Sequence, residues 1–142
     1  MTSISKILPA LLLVLTALSA HSQVRFFDGT FSEGLKRAKE EKKFVFLDAY
    51  AAWCGPCKTM EKEVFTDGKV AEFFNANFIS LHIDMEKGEG PALAKRLPSI
   101  DGYPSLLFLT PDGHLSKTIL GSRSAEIFLE EAKLVVGKKE KR

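Results

Sequence analysis

The stretch Phe44-Val45-Phe46-Leu47-Asp48-Ala49-Tyr50-Ala51-Ala52-Trp53-Cys54-Gly55-Pro56-Cys57-Lys58 ends on the two cysteines of the chain. Its first four residues are an unbroken apolar run, as expected for a central strand buried on both faces. The three-residue offset between Cys54 and Cys57 puts both sulfurs on one face where a helix begins. Gly55 permits the tight entry, and Pro56 suits a first helical turn because its missing N–H costs no hydrogen bond there. Cys54 then falls at the helix N-terminus, where unpaired N–H groups and the positive dipole end favour a thiolate. Such a pair can close a small disulfide ring and open it again, carrying two electrons. The strand thus delivers a redox nucleophile to its own carboxyl end, where open α/β sheets place their chemistry.

Two other uses of the pair fit less well. A structural staple contributes more when it closes a long loop, and this one closes almost none. A zinc site takes about four ligands, and beyond the cysteines only His82 and His114 follow the N-terminal segment. Metal binding is therefore not expected.

The 142 residues suit one domain with a sizeable core. Apolar residues make up 45% of the chain and phenylalanine occurs 11 times, which excludes a disordered chain. The formal charge of +2 is too small to imply a nucleic-acid partner. The positive surplus gathers in Lys138-Lys139-Glu140-Lys141-Arg142, read as a solvated basic tail over 138–142, with a membrane-surface contact as the lesser reading.

Residues 1–22 differ from the rest. Lys6 is their only charged side chain, and it precedes the apolar run Ile7–Leu18, which at 12 residues is short for a membrane span. Ala20-His21-Ser22 offers small residues at both positions a signal peptidase inspects. These features predict a signal peptide over 1–22, cleaved after Ser22, and a mature protein in the bacterial periplasm. An uncleaved N-terminal anchor facing the same compartment is the alternative. No cysteine adjoins the apolar run, so lipidation there is not expected.

Across the remainder, Val24–Phe27 reads as a short strand ending at Asp28-Gly29. Thr30 or Ser32 can cap a helix with Phe31, Leu35 and Ala38 on one face. After Cys57, Met60 and Val64 continue a buried helix face. Thr66-Asp67-Gly68 interrupts it, and Asp67 can cap a second segment bearing Val70, Phe73 and Phe74. Phe78–Ile83 is the next strand, followed by a short helix over Leu93–Leu97 that Pro98 stops. Ser105–Leu109 and Leu115–Leu120 form an antiparallel pair around the turn Pro111-Asp112-Gly113. Gly121 ends it, and Ser122 or Ser124 can cap a last helix with Phe128, Ala132 and Val135 on one face.

This order, β-α-β-α-β-α-β-β-α with Cys-Gly-Pro-Cys opening the second helix, resembles the thioredoxin superfamily from about Val24 to Val136. Asp48 stands six positions before the first cysteine, where the family carries a buried acid. Tyr103-Pro104-Ser105 matches the family's cis-proline site, and Gly121 matches a glycine near the end of its last strand. The run around Trp53-Cys54, with Lys58, Met60, Glu61, Val64 and Phe65 after it, is also similar to the C-terminal thioredoxin-like domain of the thiol-disulfide interchange protein DsbD. The resemblance implies an α/β chain with a thioredoxin fold: a central mixed sheet flanked by helices on both faces, spanning 23–137. One departure stands out. A lysine near the buried acid in thioredoxin is replaced here by Ser80, which should raise the Asp48 pKa further through desolvation. His82 shares the strand face of Ser80; it reads as a structural histidine, with a role as substitute partner of Asp48 as the alternative.

The implied activity is thiol–disulfide exchange, with no cofactor beyond the Cys54–Cys57 disulfide. Cys54 is the expected nucleophile, Cys57 the resolving thiol and Asp48 the proton acceptor. Trp53, Gly55 and Pro56 form the active-site loop, Trp53 shielding the dithiol. Tyr103 and Pro104 are the expected substrate shelf, and Lys58 reads as a solvated helix lysine. The expected partners are disulfide-containing proteins and a membrane electron donor, the mature chain being a soluble monomer. Gly-Pro between the cysteines resembles reducing members of the superfamily, so reduction or isomerisation is favoured. A disulfide-forming oxidase and a non-catalytic binding module are the alternatives.

Overall fold

A computed structural model describes residues 22–98 and 100–140. The expected signal segment lies outside them except at Ser22. The elements are α1 (Phe31–Glu41), β1 (Phe44–Tyr50), α2 (Gly55–Thr59) running into a π-helical turn (Met60–Val64), α3 (Gly68–Asn77), β2 (Phe78–Asp84), α4 (Gly90–Arg96), β3 (Ser105–Leu109), β4 (Leu115–Leu120) and α5 (Ala125–Glu140). The four strands lie in the order β2-β1-β3-β4. β1 runs parallel to β2 and antiparallel to β3, and β3 pairs antiparallel with β4. This is the mixed, helix-flanked sheet that the resemblance implies.

Alternation along β1 sorts the core into two halves. Val45, Leu47 and Ala49 face one side with Ile79, Leu81, Ile83, Leu107 and Leu109, covered by Phe31 and Ala38 of α1 and Leu93 of α4. Phe44 and Phe46 face the other side, with Phe74, Phe78, Phe108 and Phe128 around them. The Phe46 ring lies 5.1–5.4 Å from those of Phe74, Phe108 and Phe128. Both patterns follow from the period of two along a strand.

The local signals act as expected at several ends. Thr30, not Ser32, caps α1: its hydroxyl accepts from the Glu33 N–H, and Glu33 reaches back to the Thr30 N–H. Asp67 accepts from the N–H groups of Lys69 and Val70 at the start of α3. The Ser124 hydroxyl accepts from the Ile127 N–H at the start of α5. Leu97 is extended (ψ 128°) before Pro98, which ends α4.

Two expectations are corrected. No strand forms over Val24–Phe27; only a single parallel bridge, Phe26 to Ser80, is made. The Phe27 N–H is donated to the Ser80 carbonyl at this bridge, whereas the Val24 N–H goes to the Phe65 carbonyl and the Arg25 N–H to Asn75 instead of to β2. α4 begins at Gly90, three residues before the expected start. A Cβ at Gly90 would stand 1.9 Å from the Asp84 carbonyl oxygen, so glycine alone permits this approach to the end of β2. α5 runs to Glu140 and so includes the first residues of the basic segment 138–142.

Candidate active site

Cys54 caps α2 with extended backbone (φ −75°, ψ 111°), and Pro56 lies in the first turn. The two cysteines form a disulfide with their Cα atoms 5.3 Å apart. The Cys57 N–H points at the Cys54 sulfur, 3.2 Å away, and the Cys54 N–H is held by the Ala51 carbonyl. Both cysteines are nearly sealed from solvent, at 2% and 1% exposure, in a small apolar cluster with Ala51. Tyr50 and Tyr103 pack against that cluster.

Trp53 stands at the surface next to Cys54. It is 70% exposed, meets Tyr103 edge to face at 6.0 Å, and donates its indole N–H to the Glu86 carboxylate. Tyr103 packs against the dithiol, and Trp53 forms an exposed rim next to it. Lys58 is exposed, as expected of a solvated helix lysine.

Pro104 is buried at the head of β3, and its peptide bond with Tyr103 is cis. Its carbonyl accepts the Gly121 N–H at 2.8 Å, and Ser105 donates its hydroxyl to the Gly102 carbonyl. Gly121 has φ +87°, a left-handed conformation that side chains other than glycine rarely adopt. β4 is thereby tied off against the strand that carries Pro104.

Asp48 lies on the phenylalanine face of β1, one step beyond Phe46, and is fully buried. The register sets it opposite His82 on β2, whose Nδ1 lies 2.8 Å from one Asp48 carboxylate oxygen. The other oxygen, Oδ1, is buried without a protein hydrogen-bond partner. Burial raises the Asp48 carboxyl above the usual carboxylate range; the His82 hydrogen bond and charge oppose this, and Glu61 adds to it. The far side of the imidazole, Nε2, stands 3.5 Å from the Glu61 carboxylate on the π-helical turn. Tyr50 stacks flat on the ring at 3.9 Å.

The structure therefore corrects one reading and extends another. His82 is the partner of Asp48, not a bland strand histidine, and Ser80 leaves its hydroxyl unpaired one step inward. The available signal was the pairing register: Asp48 and His82 are opposite only if Phe44 starts against Phe78. Glu61 had no expected role beyond its place in the Lys58-x-Met60-Glu61 pattern. It lies four residues after Cys57, and the π-helical turn, with Phe65 N–H bonded to the Met60 carbonyl at 2.9 Å, brings it beside the histidine. His114 lies in the β3–β4 turn at the opposite end, beside Lys39, Lys42 and Lys138. Among the described residues no group of three or more His, Cys, Asp or Glu side chains is arranged to hold a metal, and no helix is long and apolar enough to cross a membrane.

Comparison with known proteins gives the same outline. Residues 27–111 match the family model described as thioredoxin-like. The chain is 35% identical over 99 residues to the thiol:disulfide interchange protein DsbD of Pseudomonas fluorescens, covering 68% of this chain and 17% of that one. It thus spans about a sixth of the length of such relatives. Among solved structures, a Bacteroides thetaiotaomicron protein assigned as a disulphide-isomerase is 42% identical with a TM-score of 0.71, over 81% of this chain and 94% of that one. The oxidised C-terminal domain of Neisseria meningitidis DsbD is 27% identical with a TM-score of 0.62, over 78% and 98%.

Proposed function

We propose, from the premise that this chain belongs to the thioredoxin-like family and is a thiol–disulfide oxidoreductase of it, that it reduces or isomerises disulfides in exported proteins. The observation that carries this reading is the Cys54–Cys57 disulfide at the head of α2, directly after the strand that carries the buried Asp48. In the reduced protein, Cys54 thiolate attacks a substrate disulfide and the first substrate sulfur leaves. The Cys57 N–H aimed at Cys54 sulfur favours negative charge there. Cys57 then gives its proton to Asp48, directly or across one water, and attacks Cys54. The substrate's second sulfur leaves as a thiolate, and the two cysteines are left as the disulfide. Holding Cys57 one turn from Cys54 makes this second step intramolecular. Tyr103, packed against the dithiol, and the adjoining Pro104 form the shelf on which an extended substrate segment lies, and Trp53 lines its rim.

A dithiol donor, reached at the membrane in the manner of an interchange protein, then returns two electrons to the pair. Export rests on the segment 1–22; N-terminal sequencing of the mature protein is expected to begin at Gln23. The similarity to a chain assigned as a disulphide-isomerase supports isomerisation alongside reduction.

The test is a Cys57→Ser variant, expected to accumulate substrates disulfide-linked to Cys54, with insulin reduction lost in Cys54→Ser. The potential of the pair is expected nearer the roughly −270 mV of thioredoxin than the roughly −120 mV of DsbA. A value at the oxidising end would replace the reductase with an oxidase. Insulin reduction independent of Cys54, with no linked adducts, would leave only a binding module.

A further inference from the structure

Resting on the exchange reaction above, we infer that His82 is a positioning residue that fixes Asp48 and carries its proton between the buried carboxyl and the surface. Asp48 is fully buried, so a proton it takes from Cys57 has to leave through a neighbour before the next cycle. The Asp48 side chain touches His82 Nδ1 at 2.8 Å, and the opposite ring nitrogen stands 3.5 Å from Glu61. Glu61 and His82 both line a surface recess of about 210 Å³, whose other walls include Gln23, Phe26 and Thr66. One imidazole thus spans the distance from a dry carboxyl to an open pocket. Tyr50 stacked at 3.9 Å and Phe26 at 5.1 Å hold the ring in that orientation.

The proton balance closes over the two halves of the cycle. When Cys57 attacks Cys54, its proton sits on Asp48. Asp48 passes a proton to Nδ1 while Nε2 releases its own to Glu61 or to water in the recess. The ring ends with the proton on Nδ1 and Nε2 bare. When a donor dithiol reduces the disulfide, Cys57 leaves as a thiolate. Asp48, a bare carboxylate since the first half, takes the proton from Nδ1 and hands it to Cys57, and Nε2 takes one from the recess. Each half-reaction restores the tautomer the other needs, so the ring never has to turn between its stacked neighbours. An ammonium group offers donors only and cannot do this, whereas each imidazole nitrogen serves as donor or acceptor. The charged and titratable groups around the ring are Asp48 and Tyr50 from β1, Glu61 from the π-helical turn and Asp84 further along β2. The N-terminal segment contributes the uncharged Gln23, Val24 and Phe26.

The experiment follows Ellman's reagent reacting with the fully reduced protein between pH 5 and 9. The first thionitrobenzoate reports attack by Cys54 and the second reports resolution by Cys57. His82→Asn keeps a donor for Asp48 but carries no proton, and His82→Phe keeps the stacked ring without nitrogen. Both are expected to leave the first release within about twofold and to slow the second about tenfold, part of the 10²–10⁴-fold that acid–base groups supply. The pH profile of the second release is expected to lose an inflection. Glu61→Gln at the exit is expected to slow it two- to threefold, since water in the recess replaces it. The inference is overturned if resolution keeps its rate and pH profile in the variants, or if both releases slow in parallel. It is equally overturned if Asn restores the full rate, because a hydrogen bond to Asp48 would then suffice. Failure of the exchange reading looks different: Cys54→Ser would release the first thionitrobenzoate as fast as the wild-type protein.

Discussion

The two faces of the sheet use the same strands to different ends. One face is aliphatic along its whole length, from Val45 through Leu47 to Ala49, with the matching leucines and isoleucines of β2 and β3. The other starts as a phenylalanine cluster and, within one step of β1, changes from Phe46 to Asp48. Across the pairing register, Ser80 and His82 make the same change on β2. The aliphatic face is a packing surface alone. The aromatic face is a core at one end and a proton site at the other, and its rings exclude the water that would otherwise hold Asp48 in its ordinary range. The difference teaches that the position of the chemistry is set by where a buried face stops being apolar.

The contrast can be broken or sharpened by substitution. Phe46→Ala, at the centre of the ring cluster, should cost about 3–5 kcal/mol in chemical denaturation while the folded fraction retains exchange activity. A loss below about 1 kcal/mol would show that the rings are not the main packing element of that face. Leu47→Ala, one residue on and on the other face, should cost about 2–5 kcal/mol with no change in the pH dependence of exchange. A changed pH profile would mean that the aliphatic face also carries chemistry.

Asp48→Asn should move stability and activity in opposite directions. Because burial raises the Asp48 carboxyl, the folded chain holds that proton more tightly than the unfolded chain does. The contribution of this group is therefore greatest below the ordinary carboxylate range and falls as pH rises through the raised value. The variant should melt several degrees higher than wild type at pH 8 and show a smaller gain at pH 5, in calorimetry at the two pH values. Its second thionitrobenzoate release should slow about tenfold or more. An equal gain at both pH values would sink the linkage. The smallest effect is Thr30→Ala, which removes the capping box of the helix on the aliphatic face: about 1 kcal/mol, read from denaturant midpoints, with exchange unaffected.

Much of the fold was legible residue by residue. The run Phe44–Leu47, the caps at Thr30 and Asp67, the Pro111-Asp112-Gly113 turn and the stop at Pro98 are local signals, and each acts where the backbone alone would place it. The failures share a cause. Val24–Phe27 has strand composition, yet the Val24 and Arg25 N–H groups are claimed by Phe65 and Asn75, residues distant in the sequence. Trp53 adjoins Cys54 in the chain, but its partners Tyr103 and Glu86 come from distant parts of the sequence. His82 reads as one polar residue on a strand until the register sets it across from Asp48.

The sequence by itself determined the redox pair. Spacing, glycine, proline and a preceding apolar strand are enough to put Cys54 and Cys57 at the head of a helix, because each acts through bonds within a few residues. Only the tertiary structure decided what surrounds the pair: that Tyr103 covers it, that Asp48 is sealed beneath the aromatic face, and that His82 and Glu61 connect that acid to a surface recess. Those contacts join residues on separate strands and turns, and they exist only once pairing and burial have fixed which side chains meet.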